Sequence, residues 1–110
     1  MWHGFLWRQG VMTDLGTVAG DTCSQAESIN SEGQVVGASG ICFQTARAFL
    51  WEKGGPMVDL NSLIPRNSSL QLVTALDIND RGEIAGIGVP PGVPFQDTDR
   101  RGHAFLLIPW

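Results

Sequence analysis

Asp14 and Asp59 occupy the same place in two copies of one phrase, Met-x-Asp-Leu, and Trp7 and Trp51 end a second repeated element, Phe-Leu-Trp, just upstream of each. Equivalent carboxylates can hold a cation or accept from sugar hydroxyls, and aromatic rings beside them can stack on a sugar face. Asp14, Asp59, Trp7 and Trp51 are therefore the candidate ligand-binding set, with a glycan as the candidate ligand. Each also has a structural reading. A repeated Asp caps a turn by accepting from backbone N–H groups. Phe and Trp two apart on a strand share one face, and they become core wherever that face is covered.

Cys23 and Cys42 flank a hairpin, "SINSEGQVV". If its turn centres on Ser31 and Glu32, Ile29 faces Val35 and the cysteines lie across from each other to within one residue. That spacing makes them a disulfide candidate. Two free thiols at strand ends is the other reading. Metal binding is the least favoured, since structural zinc takes four ligands. His3 and His103 open equivalent strands, but no further residues follow a ligand spacing, so no metal site and no cofactor are expected. There is no phosphate-binding Gly-rich loop, no nucleophile elbow and no zinc-protease motif. No catalytic residue is assigned and the chain is not expected to be an enzyme. A small hydrolase is the remote third reading.

The elements that would position these residues are short strands. Among 110 residues there are 14 Gly and 6 Pro, and the turns they imply leave no room for a long helix. The phrase recurs in order. Gly4-Phe5-Leu6-Trp7 matches Ala48-Phe49-Leu50-Trp51 at an offset of 44, and Ala26-x-x-Ile29-Asn30-x-x-Gly33 matches Ala75-x-x-Ile78-Asn79-x-x-Gly82 at 49. Ala104-Phe105-Leu106 writes the opening strand a third time. Each full copy reads as four strands, such as "AFLW", "PMVDL", "LVTALDIN" and "EIAGIG", joined by Gly and Asn turns. Gly37 and Gly86 in the last strands mark close packing or a bulge. "LNSLIPRN" allows one turn of helix before Pro65. The prolines of 88–102 predict an extended surface loop.

Four antiparallel strands per 40–50 residues is the period of a β-propeller blade. The expected fold is all-β, two four-stranded propeller-like blades plus a closing ninth strand. The boundaries are 3–46 for repeat one, 47–102 for repeat two and 103–110 for the closing strand. Two blades cannot close a ring, so the chain is part of a longer array, or two sheets fold face to face as a sandwich, or copies assemble; homo-oligomerisation that completes the ring is the leading expectation. Three chains would make six blades, which favours a trimer. Trp2 and Trp110, near the ends, are expected on edge strands or against a partner.

These residues resemble the HAF-repeat family. "HGFLW…MTDLGT", "A..IN..GQVVG" and "LNSLIP…A.DIND.GEIAG…GHAFLL.P" carry the resemblance over nearly the whole chain. His103-Ala104-Phe105 is the family's opening triplet in full, while His3-Gly4-Phe5 and Arg47-Ala48-Phe49 approximate it. The family comprises bacterial tandem repeats found mostly in extracellular proteins. The resemblance implies an extracellular or periplasmic location and the C-terminal repeats of an array. Met1 is followed at once by strand-like sequence, so no signal peptide is expected in this chain.

Net charge is −4, with 7 Lys and Arg against 11 Asp and Glu, which argues against nucleic acid and anionic membranes as partners. No apolar run approaches the roughly 20 residues of a spanning helix, so no membrane insertion is expected. The expected function is a non-catalytic binding or adhesion module, with a ligand-free self-assembly module as the alternative.

Overall fold

A computed structural model describes residues 1–109; Trp110, a candidate partner contact, lies outside them. Among the described residues nine strands form, in the number and order the patterning predicts. They are β1 Gly4–Arg8, β2 Val11–Gly16, β3 Cys23–Ile29, β4 Val35–Gly40, β5 Arg47–Trp51, β6 Val58–Asp59, β7 Gln71–Ile78, β8 Ile84–Val89 and β9 His103–Leu107. All pairings among the described residues are antiparallel. The closing strand, expected over 103–110, is β9, and it pairs along β8 with Phe105 opposite Gly86.

The strands are grouped differently from the expected blades. Among the described residues there are three open sheets, β1-β2, β3-β4-β5-β6 and β7-β8-β9. The four-stranded sheet therefore crosses the expected boundary at 46/47, and the nine strands divide two, four and three. The physical reason lies in the links. Between β4 and β5 the N–H groups of Gln44 and Thr45 both bond the Ile41 carbonyl, a tight turn that lays the strands side by side. After β2 the chain leaves its sheet instead. Buried Val18 donates its N–H to the Ser39 hydroxyl of β4, and the Ser24 hydroxyl of β3 joins Gly4 N–H to the Gly16 carbonyl. β3 thereby starts a new sheet beside the first.

The sheets pack face to face in chain order. Between the first two lie Leu15 and Leu6 from the first, against Val35, Phe49, Trp51 and Met57 of the second. Between the second and third lie Val36, Ala48 and Leu50, against Ala75, Ile84 and Phe105. Both contacts have one form. The Leu side of one sheet meets the Phe side of the next, as alternation along a strand requires.

Equivalent hairpins also stack on each other. Asn30 and Asn79 each accept, through Oδ1, two backbone N–H groups of their own turn, those of Glu32 and Gln34 and of Arg81 and Glu83. Gly33 and Gly82 close these turns at φ of 80° and 79°, where an L side chain is strained. Asn30 Nδ2 then donates to the Asn79 carbonyl at 3.0 Å, and Ser31 N–H to Asp80 at 2.8 Å. The offset of 49 in the sequence is thus a contact in space.

Gly37 and Gly86 stand where the strands come closest. A Cβ on Gly37 would lie 2.0 Å from the Gln25 carbonyl oxygen and 3.0 Å from the Phe49 ring, and Gly86 is crowded alike by Thr74 and Phe105. Register shifts opposite both glycines, at Ala26/Ser28 and Ala75/Asp77, mark the bulges. Gly37→Ala is expected to cost about 1–3 kcal/mol. Gly55→Ala, with its nearest atom at 3.5 Å, should stay within about 0.5 kcal/mol in urea unfolding. Equal midpoints for the two variants would remove the close-approach argument.

The 88–102 segment corrects the expectation of a wholly extended loop. After β8 ends at Val89, residues 90–93 make a tight turn, with Val93 N–H on the Pro90 carbonyl and Gly92 at φ 86°, and Pro94 is extended. Beyond it the chain forms a 3-10 turn at Phe95–Asp97 and one helical turn, α1, at Thr98–Arg101. The short turn expected before Pro65 is present as a 3-10 helix at Leu60–Leu63.

Candidate functional site

β1 and β2 form a two-stranded ribbon with Phe5 opposite Asp14 and Trp7 opposite Met12. Alternation puts these four side chains on one face and Leu6, Thr13 and Leu15 on the other. Leu6 and Leu15 pack inward on the second sheet. The opposite face is bare: Phe5 is 60% exposed, Trp7 61% and Met12 63%. Their counterparts in the next copy are buried, with Phe49 at 0%, Trp51 at 6% and Met57 at 6%. The two tryptophans of the candidate set thus do not share an aromatic row. Trp7 faces solvent and Trp51 belongs to the core.

The two aspartates also stay apart, each held in its own turn. Asp14 accepts from Gly16 N–H at 2.8 Å and pairs with His3 Nδ1 at 3.0 Å. Asp59 accepts from Asn61 N–H at 2.8 Å, caps the 3-10 helix and lies 3.4 Å from Arg47 Nη1. Asp59 lines a cleft of about 620 Å³ between the second and third sheets, together with Arg47, Asn61 and Phe95. Among the described residues no three His, Cys, Asp or Glu side chains converge as a metal site would need.

The same geometry explains why the opening residue of the phrase alternates. His3 and Arg47 hold one structural position, and each pairs with the Asp of its own sheet. The position takes a nitrogen-bearing side chain long enough to reach that Asp, at 3.0 Å from His3 and 3.4 Å from Arg47. Arg47 does more, because its Nη2 also reaches Asp21 at 2.8 Å. The Asp21 side chain is fully buried, and its other oxygen accepts from Ser39 at 2.7 Å. Sequence reasoning missed this Asp21–Arg47–Ser39 network. Asp21 lies in an unrepeated loop, so no periodicity marks it. The substitution of Arg for His at 47 was the one available signal.

Cys23 and Cys42 meet at disulfide distance, with Cα atoms 5.3 Å apart. Ile29 pairs with Val35 as the hairpin reading requires, while Cys23 faces Gly40 and Cys42 reaches back from the turn beyond β4. That pair is compatible with an oxidising compartment. Alkylation before and after reduction, read by mass spectrometry, should label neither cysteine first and both afterwards. Labelling without reductant would remove the bridge. Beside it, Trp2 packs edge-on against Phe43 with ring centroids 5.2 Å apart, and its carbonyl accepts from Ser24 N–H.

Two exposed carboxylates are held below the usual range. Gly16 N–H, and then His3, lower Asp14; Ser31, through its N–H and then its hydroxyl, lowers Asp80. A folded pKa below the unfolded value contributes stability above the ordinary 3.8, lost as pH falls through the folded value. The thermal midpoint should therefore decline on acidification below about pH 4, and Asp80→Asn should flatten that decline. A pH profile identical to wild type would sink the assignment.

No protein-family model, curated protein or solved structure matches this chain.

Proposed function

We propose that the chain is a non-catalytic binding module, of HAF-repeat type, whose ligand is the face of another protein β-sheet. One observation carries the reading. Phe49, Trp51 and Met57 are sealed under a neighbouring sheet, while Phe5, Trp7 and Met12 present the same surface to water. Adjoining apolar side chains left open in this way mark an interaction site. A protein face suits it better than a glycan. Asp14, the carboxylate expected to reach sugar hydroxyls, is already engaged by Gly16 and His3. Adhesion outside the cell is the setting that the resemblance implies, and a bridged cysteine pair fits it.

The test uses bis-ANS, a dye that fluoresces on open apolar surface. At low micromolar protein the dye should bind, and Trp7→Lys should abolish most of the signal. Trp7 is mostly exposed, so that variant keeps its fold by circular dichroism. Cello- and chito-oligosaccharides should neither displace the dye nor quench tryptophan emission. Displacement by a sugar, or absence of dye binding from a monomeric chain, overturns the reading.

A further inference from the structure

The structure assigns an occupant to the bare face: a second copy of this chain, docked head to tail through the outer face of its third sheet. This rests on the binding reading above and specifies its partner. One interface occurs twice between the sheets, and the outer faces of the first and third sheets each carry half of it. The Leu side of the first sheet meets the Phe side of the second, and the Leu side of the second meets the Phe side of the third. Two halves remain. The first sheet has an uncovered Phe side, formed by Phe5, Trp7 and Met12. The third has an uncovered Leu side.

Register identifies that second half. In the four-stranded sheet Val36 pairs with Leu50 and Ala38 with Ala48. In the third sheet Ala85 pairs with Leu106 and Ile87 with Ala104 at the same positions. Ala85, Ala104 and Leu106 therefore correspond to Val36, Ala48 and Leu50, the residues that receive a Phe side within the chain. All three are exposed, Leu106 by 61%. Gly102, at the end of α1, approaches Ile87 and shelters that end of the face. What remains open is small and aliphatic, the surface on which the internal copies of Phe and Trp pack.

A contact between different faces of identical chains is heterologous. It propagates until it closes on itself as a ring, and otherwise extends as a filament. Asp14 also lies on the Phe side, opposite Phe5, where His3 Nδ1 pairs with it at 3.0 Å. The number of copies in a ring follows from the rotation between sheets, and the measured mass reports it.

The experiment is light scattering behind a sizing column over a range of concentrations, with two variants at exposed positions, Trp7→Lys and Leu106→Lys. Wild type should exceed the chain mass of 11.9 kDa, increasingly so with concentration. Each variant alone should run at the chain mass, with association weakened at least tenfold. Mixed in equal amounts they should form a heterodimer at twice the chain mass, because each keeps the face the other has lost. Wild type at the chain mass throughout overturns the inference, and so does a mixture that stays monomeric. Self-dimers of Leu106→Lys would instead mean that two Phe sides meet. The dye separates these failures from failure of the binding reading. A monomeric wild type that still binds bis-ANS through Trp7 keeps the reading and loses the self-docking. A monomer that binds no dye loses both.

Discussion

Phe49→Ala is expected to destabilise the chain by about 3–5 kcal/mol, while Phe5→Ala, at the same place in the phrase, should cost under about 1 kcal/mol. Phe49 is fully buried. Its ring lies over Gly37, which has no Cβ to compete for the space, and it packs in the seam between the first and second sheets. Truncation there removes both the transfer energy of a phenyl ring and the contacts on two sides of it. Phe5 has neither, since its face is open and no glycine strand lies beside it. Small domains are stable by about 5–15 kcal/mol, so the Phe49 variant should remain measurable in urea. The comparison belongs at dilute protein, where the end faces are unoccupied. Equal losses in the two variants would mean that Phe5 is covered in solution even when dilute, and the picture of an open face would fail.

Arg47→Ala should be the most damaging change at a charged position, costing about 3 kcal/mol. The loss comes from Asp21, whose carboxylate lies fully buried and would keep only its bond from Ser39. An ion pair of this kind adds little compared with an apolar substitute, but removal of one partner strands the other charge away from water. Arg47→Lys should recover part of the stability, because charge is kept while the fork that reaches both Asp21 and Asp59 is lost. Asp21→Asn on the Arg47→Ala background should also recover part. A double-mutant cycle from denaturant midpoints measures the coupling, and a value near zero would show that Arg47 acts through packing alone.

Both expectations turn on the relation between copies of the phrase, which was legible in different degrees. Strand number and order followed from alternation and turn residues, each a local property of a few neighbours. The hairpin roles of Asn30 and Asn79 were equally local, since Asn bonds its own turn. The cysteine pairing needed only the centre of one hairpin. By contrast, the blade was written in the wrong phase. The sequence shows that four strands recur but not where one sheet ends, because link length does not mark it: residues 17–22 join β2 to β3 across a sheet break, and the equally long 41–46 joins β4 to β5 within one sheet. The corner after β2 is made by Ser24 and Ser39, from strands that follow it.

By itself, then, the sequence determined an all-β chain, its nine strands, its turns, and which side chains share a face. These depend on backbone periodicity and on contacts within a few residues. The tertiary structure alone decided which copy of each repeated residue is core and which is surface. Trp51 and Trp7 are the same letter in the same phrase, and the only difference is whether another sheet lies against them. It also decided the fate of Asp21, whose partners arrive from β4 and β5. Burial is a property of what the rest of the chain brings to a face, and no local pattern carries that information.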